Sequence, residues 1–231
     1  MNSNNQGSNT RNSITSIYED KSGLLWFCVQ GRGLYRLDPA TNEVQHYSQN
    51  PSAPDTLNSN DALRISGTYE AGIEYIWICT WGSGIYKFDI QGNQWTQYRH
   101  DPHEPNSLCD NYIELISTDH WGNLWLSSSW NGLDRLDTKT DRFTNYRHDP
   151  ADPNSLCDNT IDAVWEKDGV LWITTMNGLS RLDIGTNEFK SFFHQPSDPT
   201  SIGQNDLWTI HESKSGLLWM GGWSGLEARR A

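Results

Sequence analysis

Three tryptophans that are closely followed by glycine are the residues of this sequence whose chemistry points most directly to a binding site. They are Trp81, Trp130 and Trp223. Glycine at this spacing favours a tight turn, and an indole on a turn is costly to expose unless it is covered or used. Flat indole faces beside carboxylates and amides suit sugars, which present C–H faces and hydroxyl groups. We therefore expect a surface that recognises a carbohydrate, with packing over a neighbouring segment as the alternative.

Further candidates for this surface occupy matching places along the chain. Turns like those of the tryptophans carry Arg32 and Met176, and proline-rich segments nearby carry Asp110 and Asp158. The residue type at the turn position varies, which favours recognition because a purely structural position would repeat one residue type. The predicted ligand-contacting residues are therefore Trp81, Trp130, Trp223, Met176, Arg32, Asp110 and Asp158.

Catalytic signatures are missing from the sequence. It contains no Gly-x-Ser-x-Gly, metal-binding or phosphate-loop motif and no Cys-x-x-Cys pair. His100, His148 and His194 fall at one position of a repeated pattern, which indicates a structural role rather than catalysis. We therefore expect a protein that is not an enzyme and that uses no metal or cofactor.

The composition argues against several classes of protein. The chain of 231 residues has 17 basic and 29 acidic residues, a formal net charge of −12. This charge disfavours binding to nucleic acid and to anionic membranes, because neutralising phosphate requires positive charge. No apolar run approaches the ~20 residues of a membrane helix, so membrane insertion is not expected. With 12 Trp, 9 Tyr and 6 Phe, the chain has ample surface to bury, and full disorder is not expected either.

A fivefold internal repeat organises these residues. A tryptophan that follows leucine or isoleucine recurs, at spacings of 47 to 51 residues, as Trp26, Trp77, Trp125, Trp172 and Trp219. A glycine before an aliphatic residue and an asparagine before an apolar segment recur with nearly the same period. A period of about 40–50 residues is typical of β-propellers when each repeat contains four short strands.

Each repeat is predicted to contain four strands, named A to D, joined by turns. In the third copy these strands are expected over 111–119, 124–128, 133–137 and 143–147. The predicted fold is all-β: a β-propeller with five repeats of about 47 residues, four-stranded antiparallel blades and an incomplete last blade. Residues 1–11 are predicted to be a polar N-terminal segment and 12–231 a single propeller domain, with blades at about 12–59, 60–110, 111–158, 159–204 and 205–231.

The repeated tryptophans are predicted to form the core between blades, because flat aromatic side chains bury large areas between sheet faces. We expect the five blades to close into a ring, since an open ring would expose two blade faces. Two alternatives stay open. Residues 1–11 could add the missing outer strand, or the chain is a fragment of a larger propeller or associates with a second copy to complete one.

The direction of the strands alternates within a blade, so the B–C turns and the interblade links lie on one face. Strand A lines the central channel of a propeller, and its positions outside the core differ among the copies. Glu114, Asp162 and Trp208 are therefore candidates for contact with a ligand in the channel. Basic and acidic residues two apart on strand C, such as Lys87 and Asp89, are predicted to form ion pairs.

The repeat resembles that of the two-component regulator propeller family. The matching stretches are EDKSGLLW at 19–26, GLDRLD at 132–137 and the link DPADPNSLCDN at 149–159. The resemblance implies a sensor region of a bacterial hybrid two-component system in the periplasm, and some members of the family recognise oligosaccharides. The family builds seven-bladed propellers, whereas five repeats occur here. The sequence shows no signal peptide, so a periplasmic location is expected from the resemblance alone.

The sequence thus predicts a non-catalytic, sensor-type β-propeller module, with an oligosaccharide or another small ligand as its expected partner. One alternative is an enzyme similar to streptogramin lyase, which would need a histidine near the channel axis. His211 is the candidate for that role, because it lies outside the repeated histidine position. Another alternative is a scaffold that binds proteins through one face.

Overall fold

The computed structural model describes residues 13–49, 57, 59–128 and 130–230. These residues form nineteen β-strands in five antiparallel sheets. The predicted all-β fold, with five blades and an incomplete last one, is therefore confirmed. The predicted N-terminal segment 1–11 and the start of the first blade at Asn12 lie outside the described residues.

The strands follow the repeat from blade to blade. Blade one contains β1 (Ile14–Glu19), β2 (Leu25–Val29), β3 (Gly33–Leu37) and β4 (Val44–Tyr47). Blade two contains β5 (Ala62–Glu70), β6 (Ile73–Thr80), β7 (Ile85–Asp89) and β8 (Gln94–Tyr98). Blade three contains β9 (Ile113–Thr118), β10 (Leu124–Ser128), β11 (Leu133–Asp137) and β12 (Arg142–Tyr146). Blade four contains β13 (Ile161–Lys167), β14 (Val170–Thr175), β15 (Gly178–Asp183) and β16 (Glu188–Phe192). Blade five contains β17 (Leu207–Glu212), β18 (Leu217–Gly222) and β19 (Gly225–Arg230).

Within each blade the strands neighbour one another in chain order. The predicted strands of blade three agree with the observed ones to within two residues at each end.

The charged residues of strand C do not form the ion pairs that the sequence predicted in blade two. Asp89 accepts the N–H groups of Gln91 and Gly92 in the C–D turn, and Lys87 lies 4.1 Å from the ring centroid of Tyr75. The ion pair predicted between Lys87 and Asp89 is therefore wrong, because the turn amides take the carboxylate, while the ammonium lies against Tyr75 and 3.7 Å from the carboxylate of Glu70.

Hydrophobic clusters between consecutive blades form the core. Trp26, Trp77 and Trp125 are fully buried, and each packs against strands of the following blade. Their indole N–H groups also have partners, since Trp26 donates to Asp20 at 2.7 Å and Trp77 to Thr68 at 2.8 Å. Truncation of an aromatic side chain buried in this way to alanine lowers the stability of a fold by about 3–5 kcal/mol. The predicted core position is thus occupied as expected in these blades.

Among the described residues, the ring of blades is open between blade five and blade one. Four clusters fill the four junctions between consecutive blades, and none of them joins β17–β19 to β1–β4. Trp219, at the core position of blade five, is 40% exposed, and Ile17 of blade one is 62% exposed. The expectation of a closed five-bladed ring is therefore wrong for this part of the chain. Each core tryptophan needs a following blade to cover it, and blade five has none there.

An asparagine fixes each interblade link. The side-chain oxygen of Asn159 accepts the N–H of His148 at the end of blade three, and its backbone carbonyl accepts the N–H of Gly132 at 3.1 Å. The same side-chain bond recurs, from Gln49, His100 and His194, at Asn60, Asn111 and Asn205. The Nδ1 atom of His148 lies 2.6 Å from the carbonyl oxygen of Leu156. The asparagines and repeated histidines therefore hold the link against the blade that precedes it.

Candidate functional site

A β-bulge opens strand A in every blade. In blade four, Ile161 pairs with Thr175 and Ala163 with Thr174, so Asp162 between them has no partner on β14. The other blades show the same register shift. The bulged residues are Thr15, Leu63, Glu114, Asp162 and Trp208. A bulge frees one side chain from the alternating pattern of the sheet and re-aims it.

The bulges include the three residues predicted to line the channel, Glu114, Asp162 and Trp208. The bulges lie where strand A begins, opposite the end of strand B, and therefore next to the B–C turns. The strand-A candidates and the turn candidates thus meet at one edge of the sheets. Variation among the repeats identified these positions in the sequence. The β-bulge that changes the direction of their side chains was not predicted.

Three carboxylates share the electrostatic environment at this edge. Burial raises the pKa of Asp162, and the negative charges of Asp206 and Glu114 raise it further. Like charges disfavour ionisation of their neighbours, so Asp206 and Glu114 act on Asp162 through their charge. Asp206 was not among the predicted residues. It follows the link asparagine Asn205 directly.

Two exposed tryptophans of blade five lie at this edge, one of them in contact with Asp206. The Nε1–H group of Trp208 donates to Oδ1 of Asp206 at 2.9 Å. The rings of Trp208 and Trp223 pack edge to face, with centroids 5.0 Å apart. Trp223 is 78% exposed. We call Glu114, Asp162, Asp206, Trp208 and Trp223 the inner rim. Three of these residues are bulged residues of strand A, Asp206 comes shortly before such a residue, and Trp223 lies in a B–C turn.

Trp81 is partly covered by the link that follows it. Its ring packs edge to face on Tyr112 at 5.7 Å, and the two residues form an isolated antiparallel bridge. Gly82 lies against the same tyrosine, since a Cβ atom there would stand 3.2 Å from the Tyr112 ring. This is the packing that the alternative interpretation of Trp81 predicts, although both rings stay half exposed.

The remaining turn candidates are exposed on the same face. Trp130 is 73% exposed, and Met176 is exposed as well. Arg32 lies in the B–C turn of blade one with an exposed side chain. Its carbonyl oxygen is 2.6 Å from Nε2 of His46. These three side chains lie in B–C turns like that of Trp223, but no contact joins them to the inner rim among the described residues.

The two link carboxylates predicted as ligand contacts have structural partners. Asp110 accepts the N–H of Tyr112 at 3.0 Å and the side-chain amide of Asn131 at 2.5 Å. Asp158 accepts the N–H of Thr160 at 2.7 Å. Both carboxylates therefore cap turns of their links, and Asp110 also ties its link to the B–C turn of blade three.

Possible metal ligands and His211 bear on the lyase alternative. No group of three or more His, Cys, Asp or Glu side chains within the described ranges is arranged to hold a metal ion. His211 lies on β17 beyond the bulge, and its ring packs edge to face against Trp165 at 4.5 Å. Its strand position is opposite Trp219, away from the inner rim. The lyase alternative would require this histidine on the channel axis.

A family comparison matches one part of the chain. The sequence profile of the two-component regulator propeller matches residues 10–31. No curated protein matches the chain. The matched segment covers the first two strands of blade one, including one of the stretches on which the predicted resemblance rests.

Solved structures match nearly the whole chain. The extracellular domain of a protein described as the hybrid two-component system BT3049 of B. thetaiotaomicron matches 96% of the chain at 25% identity, with a TM-score of 0.78. The corresponding domain of BT4673 from the same organism matches 95% at 24% identity and a TM-score of 0.70. PorZ, a surface component of the type-IX secretion system of Porphyromonas gingivalis, matches 94% at 16% identity and a TM-score of 0.68.

These findings define the fold as an all-β propeller module, and the chain is similar to the propellers in extracellular domains described as parts of hybrid two-component systems. The predicted resemblance to the two-component regulator propeller repeat is confirmed. The chain spans 29% of the BT3049 domain and 30% of the BT4673 domain, and 32% of PorZ. Within the described ranges the chain forms no helix long and apolar enough to cross a membrane.

Proposed function

We propose that this chain is a non-catalytic, sensor-type recognition module and that its inner rim binds an oligosaccharide in the periplasm. The observation that carries the proposal is the pair of exposed indoles, Trp208 and Trp223, fixed beside Asp206. An edge-to-face pair presents two apolar surfaces at an angle, into which the C–H face of a sugar ring fits.

The carboxylates supply the polar half of such a site. Glu114, Asp162 and Asp206 offer acceptor oxygens for sugar hydroxyl groups. A sugar is uncharged, so it can occupy a rim of net negative charge without the electrostatic cost that an anionic ligand would meet. The periplasmic location is supported by the extracellular placement of the two matched two-component domains.

A binding screen with matched tryptophan variants tests this function. A glycan array identifies the ligand, and calorimetry then compares the wild type with Trp223→Ala. Loss of a central aromatic contact is expected to weaken binding by about tenfold or more. Trp121→Ala is the control, because Trp121 is an exposed tryptophan in an A–B turn, on the opposite face.

The two variants separate the proposal from non-specific contact. Equal weakening by Trp121→Ala and Trp223→Ala would contradict a site at the inner rim. Absence of binding to every glycan on the array would overturn the carbohydrate assignment.

A further inference from the structure

A groove crosses the junction between blades three and four at the A–B and C–D turns, on the face opposite to the inner rim. Blade three supplies Trp121, Asn123, Arg135, Asp137 and Lys139 to its lining, and blade four supplies Ile184. We call it the Trp121 groove. Its volume is about 330 Å³, which is room for a single ring with its substituents.

Trp121 is an addition to the repeat. The corresponding turn residue is Ser22 in blade one and Ser215 in blade five, and blades two and four have a two-residue turn there. Trp121 lies outside the interblade core and is 45% exposed. The other blades thus form their A–B turns without an indole, and the fold does not require one at this position.

Both blades hold the Trp121 ring in place. The His120 ring packs on it with centroids 3.6 Å apart, and Nδ1 of His120 lies 2.8 Å from Oε1 of Glu166 in blade four. Glu166 also accepts the N–H of Gly169 at 2.9 Å. The indole lies over that glycine, since a Cβ atom there would stand 3.4 Å from Cη2 of Trp121. A ligand that stacks on this ring meets an ordered side chain, so binding costs little side-chain entropy.

Arg135 brings a positive charge to the groove. Its guanidinium lies 5.7 Å from the ring centroid of Trp125 and hydrogen-bonds to the phenol of Tyr146. Its Nε–H group is buried and has no hydrogen-bond partner among the described residues. Because a buried donor without an acceptor is costly, an anion beside this guanidinium is favoured.

The acidic residue of the groove is engaged elsewhere. The carboxylate of Asp137 accepts the N–H groups of Lys139 at 3.0 Å and Thr140 at 3.2 Å in the C–D turn. None of the ion pairs within the described ranges includes Arg135 or Lys139. The groove therefore has two basic side chains for one carboxylate, although the whole chain carries a net charge of −12.

Grooves at the same place in blades one and two lack this combination. The groove beside Lys87 contains two carboxylates of its own, and that of Glu70 lies 3.7 Å from the ammonium. The groove beside Arg36 also contains two carboxylates. Neither is lined by a tryptophan. Among these three grooves, only the Trp121 groove joins an indole to an excess of positive charge.

The lining specifies a ligand that has a flat apolar ring and a carboxylate. An aromatic ring can stack on Trp121 and contact the aliphatic Ile184, and a carboxylate matches the planar guanidinium of Arg135. The groove offers few polar groups to hydroxyls, since the side-chain amide of Asn123 already donates to Asp119 at 2.9 Å. An aromatic acid therefore suits this groove better than a sugar does.

We propose that the Trp121 groove binds a small aromatic carboxylate, whose ring stacks on Trp121 and whose carboxylate pairs with Arg135 and Lys139. The site lies on the opposite face from the inner rim, and the proposal does not rest on oligosaccharide binding there.

The probe is para-fluorobenzoate, titrated into the full chain and followed by fluorine NMR. A ligand of this size is expected to bind with a dissociation constant of about 1 mM. Arg135→Gln removes the charge that pairs with the carboxylate and is expected to weaken binding about tenfold.

Arg36→Gln is the matched control for the charge. Arg36 has the same place in the repeat as Arg135 and lies 5.5 Å from the ring centroid of the core residue Trp26. It lies two blades away from the Trp121 groove, so its replacement is expected to leave the affinity within about twofold.

A second pair of variants tests the stacking. Trp121→Ala removes the ring and is expected to weaken binding about fivefold. Trp121→Phe keeps a flat ring and is expected to bind within about twofold of the wild type. Urea denaturation of each variant checks that the chain is folded.

A further arm varies the ligand and leaves the protein unchanged. para-Fluorobenzamide has nearly the same shape but no charge, and it is expected to bind at least about tenfold more weakly. Glucuronate carries its carboxylate on a sugar ring, and it is expected to displace the probe only at higher concentration than benzoate does.

Four results would overturn the proposal. The first is the absence of saturable binding of para-fluorobenzoate to the wild-type chain. The second is equal binding of the benzoate and the benzamide, and the third is equal weakening by Arg135→Gln and Arg36→Gln. The fourth is tighter binding of glucuronate than of benzoate, which would assign the groove to a sugar acid.

Discussion

The tryptophan of strand B occupies the same place in all five blades, yet Trp125 and Trp219 lie in opposite surroundings. Trp125 is fully buried by blade four, whereas Trp219 is 40% exposed because no blade covers it among the described residues. Both residues follow a leucine in strand B, but blade four packs over Trp125, whereas no described blade packs over Trp219. The comparison teaches that a repeat gives this side chain its position, while the next blade gives it its stabilising contribution.

The largest expected effect is the cost of removing the buried ring. Trp125→Ala should lower the free energy of unfolding by about 3–5 kcal/mol, and Trp219→Ala by about 1–2 kcal/mol, because only the first creates an enclosed cavity. Urea denaturation followed by circular dichroism measures both. Similar losses for the two variants would show that Trp219 is covered in solution.

Two glycines extend the comparison to the turns. Gly132 and Gly225 both have positive φ, 89° and 112°, but only Gly132 lies against a carbonyl oxygen of strand D. Gly132→Ala is expected to cost about 2–3 kcal/mol, from strain and from the clash, and Gly225→Ala about 1 kcal/mol, from strain alone. Thermal and urea unfolding provide the measurement. A larger cost at Gly225 would indicate that something occupies the space beside β19.

A third test uses the acidic partner of a core tryptophan. Burial acts to raise the pKa of Asp20, but hydrogen bonds from Ser22, Trp26 and Leu24 hold it below its ordinary value. Its carboxylate therefore stabilises the fold above the pKa of the unfolded chain, and this contribution is lost as the pH falls through the lowered pKa. Blade five has Ser213 at this position.

The variant Asp20→Ser places in blade one the residue that blade five has at the same position. It is expected to cost about 1 kcal/mol at neutral pH and to reduce the loss of stability below about pH 4. Urea midpoints measured from pH 7 to pH 3 give the result. An unchanged pH profile would show that Asp20 does not stabilise the turn through its charge.

The smallest expected effect is at the rim. Trp223→Ala should change the free energy of unfolding by no more than about 0.5 kcal/mol, because this ring is 78% exposed. The same urea titration measures it. A loss as large as that of Trp125→Ala would place Trp223 in the fold rather than at a recognition surface.

Much of the fold could be predicted from the sequence because the same pattern of strands and turns occurs in five repeats. Leu124-Trp125 predicted a buried strand and Gly132 predicted a turn, and both occur where expected. The open ring did not follow, because closure depends on the angle between packed blades. That angle arises from many contacts, and no single residue of the repeat encodes it.

The candidate site was predictable in part. Variation among copies identified the strand-A positions, including Asp162 and Trp208, but not the bulges that direct them. Asp206 and Tyr112 were missed, although both directly follow the link asparagine, where the residue type also varies among copies. A variable position next to a repeated one was the available signal. The contacts with Trp208 and Trp81 that give these two residues their roles depend on three-dimensional placement.

The bulges also bear on how such a chain can diversify. Each blade contributes one bulged side chain that the interblade core does not require, and these side chains already range from a hydroxyl through a carboxylate to an indole. Duplication or recombination of a whole repeat therefore carries one rim residue together with the sheet that supports it. A new combination of blades therefore gives a new combination of bulged side chains at the start of the strands A. The residues available for recognition can change by one blade at a time.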